Sequence, residues 1–559
     1  MRTAHRVKAR AKTGADMGTG YRTHRVSQLL LVLLGQVIGY GGYLLTSLNR
    51  DDHLPQHWEL VGLCWFGLGI ATAIVCGIAI PHADPLLLSL VFALTGLGLA
   101  QIHRIDLDSE AAAAPTQVLA VGIGVVILVL MVFLIKDPRR LQGFPFLLSG
   151  LGVVLLLLPL IPGLGVEVYG SRIWIAIGTF SFQPAELAKL VLAASFAAYL
   201  TEKREVLAGA GKRFLGLEFP RMRDLGPVMI MWVVSLAIMV FENDLGTSLL
   251  FFGLFIVMVY IATGKASWVV LGMTMFAAGC VVVFTFVAHA KRRLDFWLHP
   301  FDYPDTATQI IQAQFGFSHG GLLGSGWGLG RPTLIIFARS DMISAALGEE
   351  IGIVGLMGII VLYGLLVFRG LRAALTASDP FLKLFASGLS FAFLLQTFAI
   401  IGGVTRLLPL TGLTTPFLSQ GGSSMVTNWI LAALLLIVSH QARKPSQELG
   451  PTTATGATDL ENETTQVISA KELVKIGATP LAQAHLTPAG SESTDENCDA
   501  GNNEATEVIA PTASTTPSPV APPPPPTHTP DAASPNQADD LADTGGLTEE
   551  FDPFELGQE

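Results

Sequence analysis

Charged residues are scarce in this chain. Only 14% of its 559 residues are charged, and its mean hydropathy is +0.53 although its C-terminal part is strongly polar. This composition excludes a soluble multidomain enzyme and is typical of a polytopic membrane protein. Much of the acidity behind the net charge of −10 lies after Pro445, whereas residues 1–26 are basic. We expect a membrane, and no nucleic acid, as the partner of this chain.

Cysteine is also rare, and no pair of cysteines has the spacing of metal ligands. The four are Cys64, Cys76, Cys280 and Cys498. The sequence therefore predicts neither a disulfide nor a metal site. A cleavage pattern of small residues is lacking after the first apolar run, and further apolar runs follow it. This run is predicted to be a retained helix rather than a cleaved signal peptide.

Apolar runs of membrane length recur along the first 441 residues. Crossing about 30 Å of hydrocarbon takes about 20 residues of helix. Candidate spans lie at 27–47, 59–80, 83–103, 116–135, 144–162, 184–200, 225–241, 245–263, 267–289, 346–368, 382–403 and 423–441. The sequence predicts an all-α membrane domain over 27–441, with about twelve transmembrane helices.

Lysine and arginine are distributed unevenly between alternate loops. With the N-terminus inside, the cytoplasmic loops include KDPRR at 136–140 and the basic segment 201–224, whereas most outward loops hold a single basic residue. The positive-inside rule then places both termini in the cytoplasm of a multi-pass plasma-membrane protein. It places the long hydrophilic loop 291–342 outside.

The loop 291–342 is the longest stretch without a membrane-length apolar run before the tail. It carries four aspartates, a basic triplet and many glycines. Unpaired backbone groups are too costly in lipid for such a segment, and a loop of this length is usually functional. We interpret it as the working surface of the protein.

The C-terminal segment 442–559 is rich in Thr, Ala, Pro and acidic residues, and is predicted to be disordered. Two short sequences within it are similar, TQVI from Thr465 and TEVI from Thr506. They are either phosphothreonine sites that recruit a partner domain or chance repeats in a Thr-rich tail.

Charged residues at membrane depth indicate functional sites. Gln183 and Pro184 open a helix on which Glu186 and Lys189 share a face and can pair. The pair either organises a polar substrate cavity or fixes the helix near the interface.

Other carboxylates and hydroxyls have a helix-capping interpretation beside a functional one. Asp244, followed by Gly246, either caps the next helix or contacts substrate, and Glu349 either lines the cavity or faces a helix N-terminus. In the segment 403–424, Arg406 is a candidate anion contact. Ser423 and Ser424, with the amides of Gly421 and Gly422, either bind an anion or begin a helix.

Seven motifs together resemble the RodA/FtsW/SpoVE family. They are GSRIW (170–174), FQPAELAKL (182–190), NDLGTSLL (243–250), a loop with HP (299–300) and IIQ (310–312), HGG (319–321), SD…GEEIG (340–352) and LPLTGLTTPFLSQGGSS (408–424). The resemblance implies a ten-helix core, at about 116–441, to which two N-terminal spans are added. It also implies a peptidoglycan glycosyltransferase that polymerises lipid II outside the membrane with a class B penicillin-binding protein. The TGLTTP region favours the RodA branch and cell elongation over division.

The resemblance also implies site residues, and this sequence departs from the family at one of them. Tyr303 occupies the place of the family's proposed catalytic aspartate, with Asp302 one position before it and Asp305 two after. We assign Asp302 as the catalytic base and Asp305 as the reserve. The resemblance marks further residues as substrate-binding or cavity-lining, namely Glu186, Lys189, Arg293, Gln312, Asp341, Glu349, Arg406, Ser423 and Ser424. It marks others as structural, namely Gln183, Pro184, Asp244, Gly246, Pro409, Gly412, Pro416, Gly421 and Gly422.

Two other functions stay open at this point. The same outward cavity suits a lipid II translocase, and the displaced aspartate suits a scaffold that activates the penicillin-binding protein without polymerising glycan. No cofactor is assigned, and a requirement for a divalent cation is left open.

Overall fold

The computed structural model describes residues 2–109, 112–168, 171–177, 180–205, 212–214, 217–219, 222–241 and 244–444. Thr465, Thr506 and the predicted disordered tail from residue 445 onward lie outside these residues.

The described residues are mostly helical. The helices are α1 (Arg2–Asp51), α2 (Trp58–Ala79), α3 (Pro85–Asp106), α4 (Ala114–Leu134), α5 (Pro145–Leu157), α6 (Pro184–Glu202), α7 (Met222–Phe241), α8 (Leu245–Thr263), α9 (Ser267–Phe286), α10 (Ala288–Leu298), α11 (Thr308–Gly320), α12 (Ile343–Thr376), α13 (Pro380–Val404) and α14 (Gly422–Arg443). Short 3₁₀ turns separate several of them, among them Pro300–Asp302.

Nine helices within the described residues are long and apolar enough to cross a membrane. They are α1 from Arg25, α2, α3, α4, α8 from Gly246, α9, α12, α13 and α14. The prediction of an all-α polytopic membrane protein is confirmed. The count of twelve stays a prediction, because the other three predicted spans correspond to the 13-residue α5, to α6 with its charged pair, and to α7.

Two small antiparallel sheets interrupt the helices, and the sequence analysis missed both. One joins β1 (Gly165–Val168), β2 (Ser171–Ile177) and β3 (Phe180–Phe182) in that order, with Val166 opposite Trp174 and Ile175 opposite Phe182. The other pairs β4 (Lys212–Phe214) with β5 (Leu217–Phe219). Both lie between predicted spans, so the membrane helices keep their order.

The interior is built around α3, α13 and α14, the most buried of the nine membrane-length helices. The indole of Trp429 on α14 is fully buried and meets Phe92 of α3 edge-to-face, with the ring centroids 5.3 Å apart. Gly124 of α4 allows this packing, because a Cβ there would lie 2.7 Å from the indole. Aromatic pairs of this geometry stabilise by about 0.5–1.5 kcal/mol beyond their buried area.

Ion pairs join the helices at each end. At the end that carries the long loop, which we call the loop end, Arg104 of α3 pairs with Glu350 of α12 at 2.9 Å. At the opposite end Asp84, which caps α3, pairs with Arg443 of α14 and with Arg369 of α12. These ion pairs connect α3 with α12 at the loop end, and they connect the start of α3 with α12 and α14 at the opposite end.

About half of the loop 291–342 is helical. It contains most of α10 and all of α11. The helix that follows, α12, begins at Ile343 and is broken at Gly352, whose φ of 68° and ψ of −177° are not helical. Glu349 and Glu350 thus lie just before this break rather than in the first turn of the predicted span 346–368.

Candidate functional site

The charged pair on α6 lies in the protein interior. Pro184 is the first residue of α6, and Glu186 and Lys189 are only 6% and 2% exposed. The Lys189 ammonium lies 2.6 Å from Glu186 Oε2 and donates to Gln396 Oε1 of α13 at 2.7 Å. Buried charges persist when they are paired and hydrogen-bonded, as here. Gln396 was missed by the sequence analysis, although an amide inside an apolar span was the available signal.

The segment between α13 and α14, Thr405–Gly421, folds back into the loop end, and we call it the return segment. Gln396 Nε2 donates to the Thr414 carbonyl at 3.0 Å, and the Thr414 hydroxyl donates to Ser424 Oγ at 2.8 Å. Tyr363 donates to the carbonyl of Pro416 at 2.5 Å. The return segment is thereby fixed to α12, α13 and α14.

A second charged group forms where the return segment meets α8 and α10. The Asp244 carboxylate caps α8 by accepting from the Thr247 amide at 2.9 Å. Arg293 Nη1 of α10 donates to the carbonyls of Leu410 and Thr411 at 3.3 and 3.2 Å. Arg293 therefore holds the return segment, while Asp244 fixes the start of the neighbouring helix α8.

Arg293 lies between two carboxylates. Burial raises the pKa of Asp244, and it raises the pKa of Asp341 to about 6. The positive charge of Arg293 opposes this effect at both carboxyl groups. Burial also lowers the pKa of Arg293, against the opposing effect of Asp244 and then Asp341. The side chain of Asp341 is of intermediate exposure, neither fully buried nor fully exposed.

Two glycines permit these close approaches. A Cβ at Gly246 would lie 2.5 Å from the Thr411 carbonyl oxygen. Gly412 has a φ of 70°, and a Cβ there would sit 3.8 Å from Arg293 Nη2 and 4.0 Å from Asp341 Oδ2. A side chain at Gly412 would therefore be strained and would point between the two charges.

These residues form one group, which we call the central cluster. Its members are Glu186, Lys189, Asp244, Arg293, Asp341 and Gln396. The charge of Glu186 acts on Asp244, which connects the α6 pair to the Arg293 group. Four residues predicted from the sequence to bind substrate, Glu186, Lys189, Arg293 and Asp341, are thus brought together with Asp244.

The predicted base residues lie elsewhere, on an exposed turn. Asp302 ends the 3₁₀ turn Pro300–Asp302, and Asp305 follows it; both are exposed. Neither carboxylate makes a hydrogen bond or ion pair with the described residues. Tyr303 is 44% exposed, and its ring packs beside Phe296 with the centroids 5.6 Å apart.

Arg406 joins the return segment to the end of α10. It adopts a positive φ of 64°, and its Nε and Nη2 donate to the carbonyls of Trp297 and Leu298 at 3.0 Å each. The indole of Trp297 donates back to the Arg406 carbonyl at 2.9 Å. These three residues and Gln314 line an open pocket of about 350 Å³.

The other predicted residues stabilise the loop or the start of α14. Gln312 Oε1 accepts from the Ile336 amide, and Glu349 Oε1 accepts from the Arg331 amide, each at 2.9 Å. The Gly421 amide donates to Gln117 Oε1, and neither Ser423 nor Ser424 caps α14. The Ser423 hydroxyl is buried and has no hydrogen-bond partner among the described residues. Pro409 lies in the return segment, Gln183 precedes α6, and Gly422 is the first residue of α14.

No group of three or more His, Cys, Asp or Glu side chains within the described residues is arranged to hold a metal ion. The loop end thus carries two separate groups of candidate residues, the central cluster with Arg293 and the open pocket beside Arg406.

The fold and the central cluster define a polytopic membrane protein with a charged site at its loop end. A family model described as "Cell cycle protein", FTSW_RODA_SPOVE, matches residues 84–444, and the chain belongs to this family. The match begins at α3, one helix before the core boundary predicted near residue 116.

Curated relatives and a solved structure agree with this assignment. The chain is 43% identical over 451 residues to "Peptidoglycan glycosyltransferase RodA" of Mycobacterium tuberculosis, covering 78% of this chain and 96% of that protein. It is 40% identical over 431 residues to the protein of the same name in Mycobacterium leprae, covering 76% and 92%. A solved chain from "Structural coordination of polymerization and crosslinking by a peptidoglycan synthase complex" matches with a TM-score of 0.53 and 25% identity, covering 65% of this chain and 99% of that one.

Proposed function

We propose that this protein is a glycosyltransferase that polymerises lipid II into glycan strands at the outer face of the plasma membrane, together with a class B penicillin-binding protein. The two mycobacterial relatives, both named peptidoglycan glycosyltransferase RodA, support this activity and favour a role in elongation. The solved complex of a peptidoglycan synthase supports a transpeptidase partner. The observation that carries the proposal is the central cluster, since a buried site with charges of both signs at the loop end suits glycosyl transfer from a diphosphate.

The orientation of this site is part of the proposal. By the predicted order of the spans, the basic segments 136–140 and 201–224 fall on the side opposite the loop 291–342, and the positive-inside rule assigns that side to the cytoplasm. Both termini then lie in the cytoplasm, and the loop end faces outward, where glycan strands are made.

Chain extension requires a base that removes the proton of the acceptor 4-hydroxyl while the donor's diphosphate leaves. Asp302, with Asp305 in reserve, is exposed and can reach an acceptor that approaches from outside. Asp341 is a third candidate, because a carboxyl group with a pKa of about 6 accepts protons efficiently near neutral pH.

Arg293 and Arg406 are the candidates for contact with the diphosphate, and Arg406 is the better placed of the two. Its Nη1 makes no hydrogen bond with the described residues, and its side chain lines the open pocket. Arg293 donates to two backbone carbonyls and interacts with two carboxylates, so its role in the proposal is to hold the return segment in place.

The decisive experiment measures glycan formation from lipid II by the purified protein, with and without a class B partner. General-base catalysis is worth about 10²–10⁴-fold in rate, so Asp302→Asn should lower polymerisation on that scale. Asp305→Asn and Asp341→Asn are measured beside it. The matched control is Asp52→Asn, which lies outside the loop at an exposed position with a φ of 55° that asparagine tolerates.

The alternatives give different results in the same preparation. A translocase moves labelled lipid II between vesicle leaflets and forms no glycan, whereas a scaffold raises partner activity and does neither. Full activity in Asp302→Asn together with loss in Asp341→Asn would move the base into the central cluster. Chelation by EDTA tests the divalent cation, and phosphorylated tail peptides test the phosphothreonine-binding partner.

A further inference from the structure

Helices α1 and α2 lie outside the family match at 84–444, yet α1 is packed tightly on the family core. A Cβ at Gly39 of α1 would lie 2.4 Å from Gly96 of α3, so the two backbones are in direct contact. Gln36 and Trp65 exchange side-chain-to-backbone hydrogen bonds between α1 and α2, with the Trp65 indole donating to the Gln36 carbonyl at 3.1 Å. The pair α1–α2 is therefore held in a fixed position beside α3.

The C-terminal turns of α1 contact Gly324–Arg331, which we call the glycine loop. The Trp327 ring lies over Gly42, where a Cβ would be 2.8 Å from the ring. Asn49 Nδ2 donates to the Trp327 carbonyl at 2.7 Å. Gly328, with a φ of 89°, touches the Thr46 backbone, since a Cβ there would lie 2.8 Å from the Thr46 oxygen.

The other side of the glycine loop supports the break in α12. The amides of Ser325 and Gly326 donate to the carbonyls of Glu349 and Glu350, each at 3.0 Å. These carbonyls precede Gly352, where the α12 hydrogen-bond pattern is interrupted. The glycine loop thus replaces hydrogen bonds that the helix itself cannot make.

A chain of charges follows the same route. Arg50 of α1 pairs with Asp108, and Asp108 pairs with Arg104 at 2.5 Å. Arg104 is 3% exposed; its Nε lies 2.9 Å from Glu350 Oε1, and its Nη2 donates to the Gly330 carbonyl at 2.8 Å. Removing one member of the buried Arg104–Glu350 pair is costly, so this part of the route resists displacement.

The same segment of α12 leads directly into the central cluster. Asp341 lies two residues before α12 begins, and less than three helical turns separate it from the residues that the glycine loop holds. We propose that the end of α1 positions the loop-end site through Trp327, so that α1–α2 is a working part of the polymerase; this rests on the proposed function. Trp327 is a positioning residue, because it acts through α12 and touches no substrate.

The test compares two valine substitutions one residue apart on α1. Gly42→Val places a side chain against the Trp327 ring, whereas Gly41→Val meets no atom within 4 Å and serves as the control. Both changes have the same intrinsic helix cost. The readouts on the full-length protein are amide hydrogen exchange of residues 322–331, the kcat and KM of polymerisation, and the thermal midpoint.

We expect Gly42→Val to accelerate exchange in residues 322–331 and to lower kcat by up to about 10²-fold, the scale of a 1 Å misplacement in a catalytic site. KM should match that of Gly41→Val, and the thermal midpoint measures separately the stability lost to overpacking at Gly42. Adding Gly42→Val to Trp327→Ala should cause no further loss. Exchange or kcat equal to the control would overturn the proposal.

A milder pair of variants covers the case in which Gly42→Val does not reach the membrane. Asn49→Ala removes the hydrogen bond to Trp327, and Leu48→Ala, at an exposed neighbouring position, is its control. Faster exchange and lower kcat in Asn49→Ala alone support the proposal, and equal values in both refute it. A parent protein that makes no polymer refutes the proposed function and this role with it, while the exchange data report separately whether α1 holds the glycine loop.

Discussion

Replacing Lys189 by methionine should destabilise this protein more than most substitutions. The change keeps the length of the side chain but leaves the Glu186 carboxylate without its cation and Gln396 Oε1 without its donor. Two unit charges 2.6 Å apart attract by about 6 kcal/mol at an effective dielectric constant of 20. Desolvation offsets part of this, and breaking a buried pair from one side costs about 3–5 kcal/mol.

A double-mutant cycle separates the lost pair from the stranded charge. Glu186→Gln keeps an acceptor for the lysine and should cost less than Lys189→Met. The double variant Glu186→Gln/Lys189→Met has no buried charge and should recover most of the loss, giving a coupling energy of about 3 kcal/mol. The assay is reversible unfolding of the protein in detergent micelles, followed by tryptophan fluorescence. A Lys189→Met protein within about 0.5 kcal/mol of the parent would refute the buried ion pair.

Two further predictions follow from the loop end. The pKa of Asp341 is raised to about 6 in the folded protein, so the unfolded state loses this proton at a lower pH than the folded state does. The free energy of unfolding should therefore fall by at most about 3 kcal/mol as the pH rises from about 4 to 6. Asp341→Asn should remove this part of the dependence, and thermal midpoints measured from pH 4 to 7 check it; an unchanged profile would contradict the raised pKa. Arg406→Gln should raise the KM for lipid II, because it removes a positive charge from the pocket. Gln314→Glu should also raise the KM, because it adds a negative charge to the same pocket. Equal KM values for parent and both variants would exclude the pocket as the anion site.

The membrane helices could be predicted because length and apolarity identify them without reference to the rest of the fold. Nine predicted spans coincide with membrane-length helices in the described residues. The strands from Gly165 to Phe182 escaped because they are only three to seven residues long and lie in the loop between two predicted spans. The break at Gly352 also has no sequence signal of its own, since its cause is a loop that begins almost thirty residues earlier.

The sequence predicted several residues of the candidate site, but it did not predict how these residues are arranged. Charged residues in apolar surroundings pointed to Glu186 and Lys189, whereas Gln396, 207 residues further along, is their partner only through the packing of α6 on α13. The exposed position of Asp302 and the partly accessible position of Asp341 depend on how the loop 291–342 folds. Spacing along the chain holds no information about either.

The break in α12 also bears on how the chain is made. A helix with unpaired carbonyls at Glu349 and Glu350 is a poor candidate for transfer from the translocon into lipid, where nothing else can hydrogen-bond to them. The amides that bind these carbonyls belong to Ser325 and Gly326, and Arg104 comes earlier still, so all are synthesised before α12 emerges from the ribosome. The order of the sequence thus lets each partner be in place when α12 arrives, and biogenesis of this helix becomes an assembly step onto earlier segments rather than an independent insertion.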